Sequence, residues 1–283
     1  MKKYSITALL IFCLMVSMQP VYADTADTLP IGQIIEIFDG DVFDLDGDSI
    51  PEKISFETYM VDYESMFTLT IGSITLDGKG DDLTGRLHAV KMSPYTDDCL
   101  ILISDYGMSS DDTTYFYSYM DGDLSPAGTI ATMPWDLTVT GQNTFTGIVR
   151  SFYLQTWSRP CDYVITNKGS FDENDRYFSR TVSVNEVPRS IYAMGTLVTV
   201  TRDIDLQVSI TNPEACSGIK AGEQAILTAT DDIEWLYIER VESDWDYDAQ
   251  GGWFRTDIGG WSCTVDGEKI ETGELFEGLF YAD

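Results

Sequence analysis

Asp44, Asp46 and Asp48 stand at alternate positions, with Gly47 between the last two, and Glu52 follows in the pattern D-x-D-G-D-x-x-x-E. When such a segment curls, its alternate carboxylates converge on one point. Gly47 permits the bend, the Ile50 carbonyl adds an oxygen, and Glu52 closes the shell. Ca²⁺ takes roughly 6–8 hard oxygens in flexible geometry, and this spacing supplies them. The expected metal ligands are therefore Asp44, Asp46, Asp48, Ile50 and Glu52, with Ca²⁺ as the cofactor. Asp41 adds a further acid, and carboxylates packed this densely repel one another without a cation. The alternative is an acidic, solvated turn. An EF-hand is excluded, because its loop ends on a glutamate where Ser55 stands here and its flanks are helices.

A second acidic group, Asp97-Asp98, Asp105 and Asp111-Asp112, brackets the apolar run Leu100–Ser104. It reads either as a second ion or ligand site or as a solvated acidic face. Asp77, Asp81 and Asp82 read as a plain turn. His88 is the one histidine and lies in an alternating stretch, which suits a surface or satisfied strand residue. No G-x-S-x-G elbow or Cys–His pairing is present, so no catalytic residue is assigned. A carboxylate pair remains open as acid–base machinery.

The first 23 residues look like an address. Lys2 and Lys3 precede an apolar run from Ala8 to Met18, and Val21-Tyr22-Ala23 offers small residues for cleavage after Ala23. The run is shorter than the roughly 20 residues a membrane span needs. The mature chain is expected to be secreted or extracytoplasmic, with no membrane span. Export allows disulfides. The natural pairing of the remaining cysteines is Cys99–Cys161 and Cys216–Cys263, with four free thiols as the alternative.

The chain carries 17 Lys+Arg against 47 Asp+Glu, a formal net charge of -30. Nucleic acid is excluded as a partner, because phosphate binding needs clustered bases. A cationic partner fits this charge. Charged residues are only 23% and aromatics 12%, so the chain can build a core.

Short runs rich in Val, Ile, Thr, Tyr and Phe recur at strand length, separated by Gly, Asp, Asn and Pro. Lys53–Met60 alternates, Phe67–Leu76 is one strand or two, and Leu100–Ser104 reads as a buried central strand. Asp77-Gly78, Asp121-Gly122 and Asp266-Gly267 are hairpin turn signals. One helical turn is expected near Asn185–Ser190. The fold class is all-β, a propeller-like array, sandwich or barrel, and the chain splits into about 30–188 and 191–283 at the polar stretch before Ser190.

The stretch FDLDGDSIPEKISF resembles the calcium loops of FG-GAP/VCBS-type repeats, found in propeller-like extracellular proteins. That resemblance implies Ca²⁺ held by Asp44, Asp46, Asp48 and Glu52. The segments IKAGE, WLYIE and GGWF look like a bacterial Src-homology-three-like barrel, a module that often binds cell-wall peptides or serves as a spacer. Trp245 and Tyr247, on an acidic hairpin tip, and Trp261 are the candidate ligand-binding aromatics, able to stack on a sugar or a cationic stem. Together these readings suggest an exported, calcium-stabilised, non-enzymatic binding or adhesion protein for a cell-wall or extracellular glycan or peptide ligand. The alternative is a small secreted hydrolase acting on glycan or wall material through an acidic cleft.

Overall fold

The computed structural model describes residues 27–94, 98–107, 111–171, 177–187, 189–241 and 251–281. Residues 1–23, where a leader is expected, and Trp245 and Tyr247 lie outside the described residues. The chain is all-β. Its organising signal is period-two burial, as in Glu64–Ile71, where every second residue is buried.

Four main sheets form. The first runs Asp27–Thr28, Val42–Asp44, Glu52–Val61, Glu64–Ile71, Ile74–Gly80 in spatial order. The second runs Asp123–Ile130, Thr113–Met120, Cys99–Asp105, Leu83–Val90, Ile35–Ile37. The third is Thr138–Gly141, Thr144–Ser151, Trp157–Phe171 and Tyr177–Val187. The fourth has seven strands, from Asn212–Ile219 at one edge to Phe276–Glu277 at the other. A two-stranded hairpin, Ser262–Val265 with Glu268–Glu271, completes the described sheets.

The second sheet is covered on both faces, and the run LILIS shows how. Cys99, Ile101 and Ile103 enter one core with Ile54, Phe67 and Leu69 of the first sheet. Leu100 and Leu102 enter another with Phe145, Tyr163 and Val184 of the third. All of Cys99–Asp105 is buried, which is why the strand is continuously apolar where its neighbours alternate. The first three sheets thus stack in series. Among the described residues no further sheet closes them into a ring.

The fourth sheet wraps a third core built from Leu206, Leu227, Leu236, Ile238 and Phe276, among others. Tyr153 and Leu154, from the connection between two strands of the third sheet, are part of that core.

Several local expectations change. Phe67–Leu76 is two strands, turning at Gly72-Ser73. Asp77-Gly78 is not a turn. Gly78 pairs with Phe67 inside the sheet, and the Phe67 ring lies where a Cβ at Gly78 would be. The glycine makes room for a ring, and the turn falls at Asp81-Asp82. Asn185 lies in a strand opposite Val164, not in a helical turn. Asp121-Gly122 and Asp266-Gly267 are turns with positive φ at both residues.

The four described cysteines are free, which corrects the expected disulfides. Cys99 packs between the first and second sheets, whereas Cys161 packs between the second and third. The second sheet therefore stands between the two thiols. Cys263 is buried in the third core, while Cys216 is exposed on an edge strand.

Candidate metal centre

The acidic loop joins the strands Val42–Asp44 and Glu52–Val61 of the first sheet. Leu45, between two of the acids, is fully buried in the first core and anchors the loop. That anchoring carries Asp44 and Asp46 to 6% and 5% exposure while Asp48 stays in solvent. One carboxylate oxygen from each of Asp44, Asp46 and Asp48 lies within 4.8 Å of the other two. These three predicted residues are brought together.

Backbone amides shape the loop. Asp44 Oδ1 accepts from Gly47 N at 2.7 Å and Oδ2 from Ser49 N at 3.1 Å. Asp46 Oδ1 accepts from Asp48 N at 3.3 Å, and Asp48 Oδ1 from Ile50 N at 2.6 Å. Gly47 adopts φ 85, a conformation that costs a residue with a Cβ. A Cβ there would also lie 3.2 Å from Lys91 Nζ, so one ammonium stands beside the loop.

Glu52, the residue expected to close the shell, lies beside the triad, close enough for the Asp46 and Asp48 charges to act on it. Its carboxylate accepts from Leu45 N at 2.9 Å and from the Tyr119 hydroxyl of the second sheet. It braces the loop against the neighbouring sheet and is not part of the converging triad. The Ile50 side chain is 67% exposed, at the outer end of the loop.

Electrostatics set the loop's demand for a cation. Burial pushes the Asp46 carboxyl above its usual range, and the Asp48 and Asp44 charges push the same way. The amides of Asp48 and Gly122 pull it back. Burial likewise raises Glu52, against the pull of the Leu45 amide. The donor set is all oxygen, and Lys91 is one positive charge against three converging carboxylates. The residues present fit a hard divalent cation such as Ca²⁺. Gly122 belongs to the hairpin turn of the second sheet, so an ion here would pin two sheets together.

The second acidic group has a structural centre that the sequence did not reveal. Asp105 is 1% exposed and accepts from Asp81 N at 2.8 Å, Asp82 N at 2.7 Å, Gly107 N at 2.8 Å and the Tyr115 hydroxyl at 3.2 Å. It is a buried brace for the turn at Asp81-Asp82. His88 is buried, not at the surface, and packs against Trp135 with ring centroids 6.1 Å apart.

Of the candidate ligand aromatics, Trp261 is described. It is 57% exposed and stacks on Tyr281 at 6.3 Å and 18° between planes. Tyr281 was not foreseen, because 20 residues of chain separate it from Trp261 and only the folding back of the tail pairs them.

Comparison with protein-family models, curated proteins and solved structures finds no match.

Proposed function

We propose that the protein is an exported, calcium-stabilised, non-enzymatic binding protein for a cell-wall or extracellular ligand. The observation that carries this reading is the convergence of Asp44, Asp46 and Asp48 at a junction between two sheets. A weak structural calcium site is useful where the ion is abundant, as it is outside cells. The leader-like sequence at 1–23 supports the same compartment. The half-exposed pair Trp261–Tyr281 supplies a flat aromatic surface of the kind that stacks on sugars or cationic side chains. The likeness of the acidic loop to FG-GAP/VCBS-type loops, and of the C-terminal segments to a Src-homology-three-like barrel, agrees with this role.

The test is thermal unfolding of the mature chain in millimolar calcium and in chelator. With a dissociation constant of about 10⁻⁴–10⁻³ M, calcium at that level adds on the order of 1 kcal/mol. The midpoint should rise by a few degrees, and Asp46→Asn with Asp48→Asn should abolish the rise. Coincident curves for the unmutated protein would remove calcium from the reading.

A further inference from the structure

A cavity of about 650 Å³ opens where the second sheet, the third sheet and the C-terminal tail meet. Its walls come from segments far apart in sequence. Asp112 precedes a strand of the second sheet, and Asp136 ends the short helix Pro134–Asp136. Arg150 and Phe152 lie at and just beyond the end of one strand of the third sheet, and Trp157 begins the next. Phe280 comes from the tail, held there because Thr156 N donates to its carbonyl at 2.8 Å and its own amide donates to Gln155 Oε1 at 3.1 Å. The volume falls within the roughly 300–1,000 Å³ range of small-ligand sites.

The lining combines two chemistries. Phe152 and Phe280 are 47% and 63% exposed, large rings left open to solvent at the rim. The Arg150 guanidinium lies 5.0 Å from the centroid of the Phe152 ring, so an aromatic face here already holds a cation. Asp111, Asp112 and Asp136 face that one arginine, so the lining is net acidic. Burial first, and then the Asp136 charge, raise the Asp112 carboxyl, while Arg150 opposes them. A partly buried carboxylate beside a second one gains from a cation placed between them, and ring faces suit the same cation and its apolar stem. The chain's net charge of -30 draws such a ligand in. A neutral sugar would use the rings but gain nothing from the charge, and an anion would be repelled.

We propose that this cavity binds an ammonium or guanidinium group on an apolar stem, as on a lysine or arginine side chain of an extended peptide. This names a ligand for the binding role above and rests on that role, but it does not depend on the calcium loop.

The experiment is a titration of the mature chain with the peptide acetyl-Ala-Lys-Ala-Lys-Ala-amide, followed by the indole N–H resonance of Trp157, assigned with Trp157→Phe. The Nε-acetylated peptide and a chitin tetrasaccharide serve as comparison ligands. Asp112→Asn with Asp136→Asn should weaken the lysine peptide roughly tenfold or more. Asp205→Asn with Glu214→Gln removes the same charge from exposed positions elsewhere and should leave the affinity within about twofold. Phe280→Ala, at an exposed tail residue, should weaken binding without moving the unfolding midpoint. Equal binding of the acetylated peptide, equal weakening by the distant charge pair, or tighter binding of the saccharide would each overturn the proposal. Run in calcium and in chelator with the midpoint recorded, the titration separates the two readings. A missing calcium shift sinks the metal site, and missing peptide binding in a folded, calcium-responsive protein sinks this one.

Discussion

The Tyr153 hydroxyl meets Thr256 Oγ1 at 2.8 Å in a buried contact between residues 103 apart in sequence. Next to it, Leu154 is fully buried at φ 65, in the core of the fourth sheet. The side chains of Ser151 and Asp232 bond across the same junction, and Arg159 pairs with Asp232 at 3.0 Å. The connection from the third sheet is therefore a structural part of the C-terminal core. Leu154→Ala should cost about 3 kcal/mol through the cavity it leaves. Urea unfolding read by far-ultraviolet dichroism and by tryptophan fluorescence should shift together. A loss under about 1 kcal/mol would mean that the junction contributes little.

Asp105 gathers three backbone amides and a phenol with no solvent to replace it. Asp105→Ala would leave those part-buried donors without their acceptor at a cost of about 2–3 kcal/mol, whereas Asp105→Asn keeps part of the network and should cost less. Equilibrium urea denaturation of both variants measures the ranking, and a harmless alanine would contradict the bracing role.

His88 gives stability a specific dependence on pH. Burial lowers its pKa from 6.5 to about 4, with Glu36 pulling it up and Arg86 pushing it down. Between these values the unfolded chain holds more protons than the folded one. The contribution of neutral His88 is complete above pH 6.5 and is lost as pH falls toward 4. The full loss is on the order of 3 kcal/mol. His88→Leu should narrow the stability difference between pH 7 and about 4.5, measured against the parent so that carboxylate titration cancels. An unchanged difference would show that His88 titrates normally.

The free thiols should differ sharply in reactivity. Cys99, Cys161 and Cys263 are buried, and burial pushes each thiol up, Cys161 and Cys263 to about 11. Cys216 is exposed. A thiol reagent at neutral pH should modify Cys216 first and the other three only on unfolding. Mass mapping that finds Cys99 labelled in the native protein would contradict the stacked-sheet core.

The hairpin between Glu52–Val61 and Glu64–Ile71 turns through Asp62 at φ 49 and Tyr63 at φ 70. Tyr63 is 99% exposed, so no packing offsets its left-handed backbone. Tyr63→Gly should stabilise the protein by about 1 kcal/mol. A lower midpoint for the glycine variant would show that the tyrosine side chain holds the turn.

The sequence by itself determined what depends on near neighbours. Period-two alternation sets the strands and their faces, the run LILIS marks a strand covered twice, and Asp-Gly pairs at 121–122 and 266–267 set tight turns. The spacing of Asp44, Asp46 and Asp48 is enough to make their carboxylates converge, because one curl of backbone does it. Tertiary structure alone decided what depends on distant partners. Glu52 turns to Tyr119 because the second sheet lies against the loop. Asp105 becomes a buried brace because the turn at Asp81-Asp82 closes over it. Cys99 and Cys161 stay apart because a whole sheet comes between them. The cavity between Asp112 and Phe280 exists because the tail folds back onto Gln155 and Thr156. Strand patterning is a local, repeating free-energy preference, whereas each of these contacts depends on how separate sheets pack, which no short window of sequence encodes.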